Sequence, residues 1–397
     1  MAACYHVWDH PDLQGKDAFA SVDIDVPTID GSSTETKSFQ SLRNDMDKLR
    51  SDGVAKGIVD AGIVDVGTST EGRQLWALKI GKRPDHKVLF TGCHHAREWI
   101  SVEVPFLVAK FLIDNYTPTP SDEKEKRIKH LLDNREIWFV PLVNPDGHNH
   151  SVLVQRTWRP NRKEYAFDQD QVIKAARFGG GSRTIKVKAG SYRGVDLNRN
   201  YPTATWGLET PATSRDPADS KYGVWAGPSA GSEVETQAIV ALIAAQNFRS
   251  SITYHNFSQL LLFPDAAAHD TFVQDVGKGM SKLIDANGNP YKYESGNTLY
   301  PTTGDLMEYC YGVLPGRPTF TPEVRPRENG PVSSFFSGLP ESEIEPTFKE
   351  NLGAALALIN CAGFDAPAKS VTIKWTSDTH VGQVVRNCWK VFQGLSP

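Results

Sequence analysis

Directly after a short apolar run, KVLFTGC, the sequence places His95 and Glu98 three residues apart. At that spacing, on the first turn of a helix, an imidazole and a carboxylate share one face and can reach a single ion about 2 Å away. An isolated H-x-x-E pair is equally compatible with a solvated helix start. Position adds weight, because polar side chains at the C-terminal edge of a sheet strand stand where α/β proteins build their sites. A second apolar run, SSITYH, ends in His255 and supplies a third donor. Two imidazoles and one carboxylate leave a tetrahedral position for water, the open arrangement of a catalytic rather than a structural zinc centre. Cys93 lies nearby, but no pairing of cysteines supports a thiolate site. Such a centre needs a base, and Glu323, in TFTPEVRP at the end of a third apolar run, is a candidate to take a proton from water and hand it to a leaving group. Residue types alone leave open a second reading, in which Glu323 is a strand-end carboxylate paired with Arg325.

The elements that must position these groups follow from periodicity. FQSLRNDMDKLRSDG carries apolar residues at helical spacing, Phe39, Leu42, Met46 and Leu49, and ends at Gly53. AGIVDVGTS and RQLWALKIG, joined by TEGR, read as a hairpin at a sheet edge. KVLFTGC, REIWFVPLV, SSITYH and PTFTPEV read as strands, and the segment after His94 as a helix. SEVETQAIVALIAAQ opens with a serine followed three residues later by a glutamate, a capping-box start, and EPTFKENLGAALALINCAG closes the series as a helix. Strands alternating with helices predict an α/β fold: a mixed parallel and antiparallel central sheet flanked by helices on both faces.

A chain of 397 residues with 39% hydrophobic and 23% charged residues can bury a substantial core. Its formal net charge of -4 is small against its 90 charged side chains (43 basic, 47 acidic), and it has no long basic block to neutralise a run of phosphates. Nucleic acid is therefore not an expected partner, and no apolar stretch is long enough to span a bilayer. The five cysteines are scattered and odd in number, so at least one thiol is free. No signal-peptide pattern opens the sequence, which implies a cytoplasmic protein unless a leader has been removed.

Seven segments, GCHHAREWI, NPDG, TWR, GVDLNRN, GSEVE, YHNFSQLLLFP and FTPEVR, resemble in order those around the active site of the carboxypeptidase A/B family of zinc carboxypeptidases. The likeness runs from about Ser38 to about Gly363. It implies one zinc ion held by His95, Glu98 and His255, with Glu323 as general base and Asp196 orienting the first ligand ring. Arg159 falls at the position of the cation that stabilises the oxyanion. Arg199 and Asn198 match the residues that bind a free C-terminal carboxylate. Tyr300 matches the mobile tyrosine that closes over the substrate's end, and Arg97 and Arg156 match auxiliary cations of the upstream subsites. Met307 stands at the base of the pocket for the terminal side chain and suits apolar groups. Asp305, where apolar-selective members carry a small residue, is either a carboxylate able to accept a basic side chain or a cap for the turn after Gly304. Phe257 replaces a common tyrosine.

The resemblance implies an exopeptidase acting on the C-termini of peptides or proteins as a monomer. A zinc amidohydrolase of small N-acyl amino acids and an inactive zinc-binding homologue are the competing readings; the second requires a damaged ligand, base or oxyanion position, and none is present. The expected organisation is an extension over 1–37 too short for a folded pro-domain, a catalytic domain over 38–365, and a hairpin-like appendage over 366–397. Arg159 and Asn198 lie about twenty residues further apart than in digestive members of the family. The intervening stretch, about 161–191 with GGGS and many charges, reads as an inserted loop or lobe.

Overall fold

The structure is a computed structural model that describes residues 35–58, 62–284, 290–327 and 343–363. The expected N-terminal extension and C-terminal appendage, with Cys4 and Cys388, lie outside the described residues, apart from the start of the first helix. In chain order the elements are α1 (Glu35–Ala55), β1 (Ile63–Thr68), β2 (Gln74–Gly81), β3 (Lys87–Gly92), α2 (Ile100–Asp114), α3 (Glu123–Asn134), β4 (Glu136–Val140) and α4 (Pro145–Leu153). They continue with β5 (Glu164–Phe167), β6 (Gln171–Ala176), β7 (Ser182–Val187), β8 (Gly190–Arg193), α5 (Val234–Gln246), β9 (Ser250–Asn256) and β10 (Leu260–Phe263). Last come α6 (Thr271–Leu283), β11 (Lys292–Ser295), α7 (Gly296–Leu299), α8 (Leu306–Val313), β12 (Thr319–Val324) and α9 (Ile344–Cys361).

Eight strands form one sheet in the order β1-β2-β4-β3-β9-β12-β10-β11. The middle four, β4, β3, β9 and β12, run parallel, while β1 and β2 pair antiparallel on one side and β10 antiparallel to β12 on the other. Alternation assigns successive residues to opposite faces. Leu78, Ile80, Val88, Phe90, Ile137 and Phe139 bury against α1, α2, α3 and α9. Their neighbours Ala77, Leu89, Trp138 and Val140 bury against α5 and α8 on the other face. The expected mixed sheet covered on both sides is therefore present, with its parallel centre sandwiched as the apolar runs require.

Two local expectations are corrected. His95 and Glu98 are not on the first turn of a helix: α2 starts only at Ile100, and the pair occupies the turn before it, closed by a hydrogen bond from the Glu98 amide to the His95 carbonyl at 3.1 Å. The i, i+3 proximity survives because that turn has helix-like reach. At α5 there is no capping box; Glu233 is the N-cap residue and makes no side-chain cap bond. The Glu235 carboxylate instead accepts from the Thr70 amide at 3.0 Å and from Asn161, which draws it away from the helix end.

The inserted stretch is a lobe of two small hairpin-like sheets, β5 with β8 and β6 with β7. It has a core of its own in Ala175, Ile185 and Val187. Cys93, Cys310 and Cys361 are buried free thiols.

Candidate active site

Strands β3, β9 and β12 end side by side, and the functional groups gather at that edge. Gly92 closes β3; a side chain there would put its first carbon 2.0 Å from the Ser101 carbonyl oxygen. Its absence lets the N-terminus of α2 press against the sheet. Cys93 then takes φ +53°, a left-handed conformation that costs about 1 kcal/mol for a non-glycine residue. Its amide bonds the Ser101 hydroxyl at 3.0 Å, and the bend turns the next residues back over the strand ends.

His95, Glu98 and His255 converge there, 4%, 2% and 1% exposed, with their ligand atoms all within 4.8 Å of one another. His95 Nδ1 is 2.7 Å from Glu98 Oε1, His255 Nδ1 is 2.9 Å from Glu98 Oε2, and the two Nδ1 atoms face each other at 3.1 Å. A tetrahedral ion with bonds of about 2 Å holds its ligand atoms about 3.3 Å apart, close to these separations. The outer nitrogens decide the tautomers. His95 Nε2 lies 3.1 Å from Asp196 Oδ1, which can only accept, so the proton sits on Nε2 and the Nδ1 lone pair points inward. Burial depresses the His255 imidazole below its ordinary value despite Glu98, keeping it neutral. An inward nitrogen lone pair on His95, a neutral imidazole at His255 and a carboxylate that must stay charged suit a divalent cation. The Glu98 carboxyl is held below its usual range because the two imidazoles outweigh its burial.

Asp196 is fully buried, and Arg159 and His95 together outweigh burial to keep it ionised. Arg159 donates to Asp196 Oδ2 through Nε at 3.2 Å and Nη2 at 3.1 Å, and to the Gly223 carbonyl at 3.0 Å. Its Nη1, 3.6 Å from Glu98 Oε1, is left to face the ligand cluster. Asn198 accepts the Leu306 amide at 2.9 Å, which turns its NH2 to within 3.4 Å of His255 Nε2. Arg199 is 3% exposed and fixed by the carbonyls of Ala212 at 2.8 Å and Asn198 at 2.6 Å, yet it pairs with no carboxylate among the described residues.

Glu323 stands opposite His255 in the parallel register of β12 and β9. Arg325 is not its partner: that guanidinium bonds Glu350 and Glu343, each at 2.8 Å. Burial first and the Glu98 charge second push the Glu323 carboxyl well above the ordinary range, with Arg159 and Arg199 acting against them. A bound cation would also act against them. Tyr300 is 38% exposed, and its phenol is raised by burial and by Glu323, with Arg199 and Arg159 opposing.

Arg97 and Arg156 stand together at the outer side. Arg156 donates to the Arg97 carbonyl at 2.8 Å and lies 3.7 Å over the Trp99 ring. Burial, then like charge, lowers each to about 10. Met307 packs with Leu260, Leu262 and Leu299 in an apolar cluster next to Tyr300. Asp305 caps α8: Oδ1 accepts the Glu308 amide at 2.9 Å and Oδ2 the Thr302 hydroxyl at 3.1 Å.

His94, Thr253 and Tyr201 are not among the residues that the sequence marks for the site. His94 Nε2 is 2.9 Å from the Tyr201 hydroxyl, its Nδ1 3.3 Å from Thr253 Oγ1, and that oxygen is 3.4 Å from His255 Nε2. The His94 ring also stacks on His255, centroids 5.4 Å apart. This chain of hydrogen-bonding groups braces the outer nitrogen of His255 as Asp196 braces that of His95. The available signal was the doubled histidine, whose two side chains must leave the strand end on different sides.

Fold and ligand geometry together define an α/β protein with a site fit for one divalent metal ion, and comparison with known proteins narrows the class. The profile described as "Zinc carboxypeptidase" matches residues 60–354, and the chain belongs to that family. It is 31% identical over 312 residues to "Metallocarboxypeptidase A" of Trichophyton rubrum, covering 75% of this chain and 65% of that protein. To "Carboxypeptidase B" of Rattus norvegicus it is 31% identical over 309 residues, covering 74% and 64%. The matched region thus spans just under two thirds of these relatives. Among solved structures, bovine thrombin-activatable fibrinolysis inhibitor in complex with tick carboxypeptidase inhibitor superposes with TM-score 0.62 at 22% identity, covering 82% of this chain and 96% of that one. Carboxypeptidase A from Helicoverpa armigera gives 0.61 at 20% identity, covering 91% and 82%. Both confirm the fold.

Proposed function

We propose that the chain is a zinc-dependent carboxypeptidase that releases the last residue of peptides or proteins, with His95, Glu98 and His255 as ligands and Glu323 as general base. The observation that carries this reading is Arg199, a buried guanidinium with no carboxylate partner among the described residues, beside a cluster fit for a divalent ion. A buried cation without a counter-ion is costly unless an anion arrives, and a free C-terminal carboxylate matches its planar fork. Asn198 adds a donor alongside.

Zinc bound there supplies Lewis-acid polarisation and a water whose pKa falls to about 7. Glu323 takes the proton from the attacking water and delivers it to the departing amine. Arg159 directs Nη1 at the oxygen that gains charge, a donor whose loss typically costs about 2.7–4 kcal/mol of transition-state stabilisation. Tyr300 covers the bound end, and Arg97 and Arg156 line the path of the residues before it. Met307 with Leu260 and Leu262 makes the terminal pocket apolar, and both Asp305 oxygens are already engaged, so we infer a preference for apolar ends over basic ones.

An assay on blocked dipeptides ending in Phe, Leu, Lys, Arg or Glu, with amidated controls and a chelator, tests the reading. Release of Phe and Leu that stops with chelation, with amidated substrates intact, is expected. Equal cleavage of free and amidated ends would overturn the role of Arg199.

A further inference from the structure

The lobe at β5–β8 creates a cavity of about 630 Å³ outside the site described above, lined by the β6–β7 turn, the segment around 209–224 and Pro301. It lies one residue from the chemistry on two sides. Tyr222 and Val224, both in its wall, flank Gly223, whose carbonyl holds Arg159 at 3.0 Å, and Pro301 follows Tyr300. It is distinct from the terminal pocket: Thr210, Pro211 and Thr213 line it, while the Ala212 carbonyl between them turns away to Arg199.

Among the described residues three large aromatic side chains are exposed, Phe178 at 42%, Tyr222 at 65% and Tyr300 at 38%. The first two line this cavity, and the third precedes Pro301, which also lines it. Solvated aromatics grouped around one concavity mark a binding surface more than scattered ones do. The lobe presents Phe178 rigidly, because its amide bonds the Glu209 carbonyl at 2.9 Å and the Glu209 amide bonds the Ala176 carbonyl at 2.8 Å. The charges are unequal in availability. Glu209 is taken by Arg183 at 2.9 Å and by the Arg215 amide at 3.1 Å, and Asp219 accepts the Ser214 hydroxyl at 2.6 Å. Arg177 pairs with no carboxylate among the described residues.

We propose that this cavity is an accessory subsite for the substrate chain ahead of the cleaved bond, taking an acidic side chain at Arg177 with apolar contact to Phe178 and Tyr222. The inference rests on the peptidase reading for what the peptide is, and adds a selectivity that the terminal pocket does not supply. Being exposed, the pairing contributes modestly, and its effect is on affinity for longer peptides rather than on the reaction.

The test is equilibrium binding of labelled peptides that end in a D-residue and so resist cleavage, with glutamate or glutamine at each upstream position in turn. The parent protein binds the glutamate peptide about two- to fivefold more tightly at one or two positions, the worth of one exposed ion pair. Arg177→Ala equalises the two peptides at the positions that reach the lobe and leaves any glutamate preference owed to Arg97 and Arg156, and Phe178→Ser weakens both at those positions. Equal binding of glutamate and glutamine peptides by the parent at every position, or an Arg177→Ala variant that keeps the parent's preference at every position, overturns the proposal. Hydrolysis of a blocked dipeptide, too short to reach the lobe, is measured on the same proteins. If it fails in the parent, the peptidase reading falls and the binding result still decides the subsite.

Discussion

Glu323 and His255 are register partners on adjacent parallel strands, so one sheet position fixes both the candidate base and the candidate third ligand. Residues paired in that way share a face and stay a few ångströms apart whatever the surrounding loops do. Replacing Glu323 by Gln keeps shape and removes the proton acceptor. The turnover number should fall about a hundred- to ten-thousandfold with bound zinc unchanged by metal analysis. Parent-like turnover would exclude Glu323 as the base.

The brace on His255 gives a second prediction. Thr253→Val removes the oxygen between His94 and His255, and His94→Phe keeps a ring but removes the hydrogen-bonding nitrogens behind it. Partners of this kind commonly shape metal affinity about 10–100-fold. Zinc loss to a chelator should accelerate on that scale in both variants, and the visible spectrum of the cobalt-substituted protein should shift. Unchanged release rates would reduce the His94–Thr253–His255 chain to packing.

Behind the site, three buried carboxylates, Asp146, Glu233 and Glu235, lie close together. Asn161 bridges Glu233 and Glu235, Tyr165 donates to Glu233, and Arg73 pairs with Asp146. Burial, reinforced by the Asp146 and Glu233 charges against two backbone hydrogen bonds, raises the Glu235 carboxyl to about 7. A carboxyl raised in the folded state favours folding while it is protonated. That stability is whole below the ordinary value near 4.5 and is lost as pH climbs through about 7, a change on the order of 3 kcal/mol. Urea unfolding at pH 4.5 and pH 8 should show the parent weakening with alkalinity and Glu235→Gln weakening less. Identical pH slopes would place the charge elsewhere.

Gly92→Ala tests the contact between strand and helix. The added carbon would meet the Ser101 carbonyl oxygen at 2.0 Å and that of Pro141 at 3.0 Å, so α2 must withdraw from the sheet. Overpacking of this kind costs about 1–3 kcal/mol. Because the turn carrying His95 and Glu98 moves with the helix, zinc affinity should fall together with the melting temperature. A loss of stability with unaltered zinc binding would separate the turn from the helix.

Much of the site could be read from the residues because its parts sit at strand ends. Periodicity marks those ends, and His95, Glu98, His255 and Glu323 each follow or close an apolar run. The helical turn expected under His95 was misplaced because a tight turn and a first helical turn give the same i, i+3 reach. The capping box at Ser232 failed because tertiary partners, Thr70 and Asn161, compete for Glu235, and no local pattern reports them. The brace from His94 was invisible for the same reason, since it joins residues 107 and 159 positions apart. The ambiguity at Asp305 needed coordinates, as capping and substrate contact place the same residue type at the same position.

The facing Nδ1 atoms of His95 and His255 come from residues 160 positions apart. Neither stretch alone offers more than a pair of donors, so tight metal capture has to await the pairing of β3 with β9. A nascent chain halted before Ser250 should compete for the ion no better than a free H-x-x-E peptide, which makes metal uptake a late report that the sheet has closed.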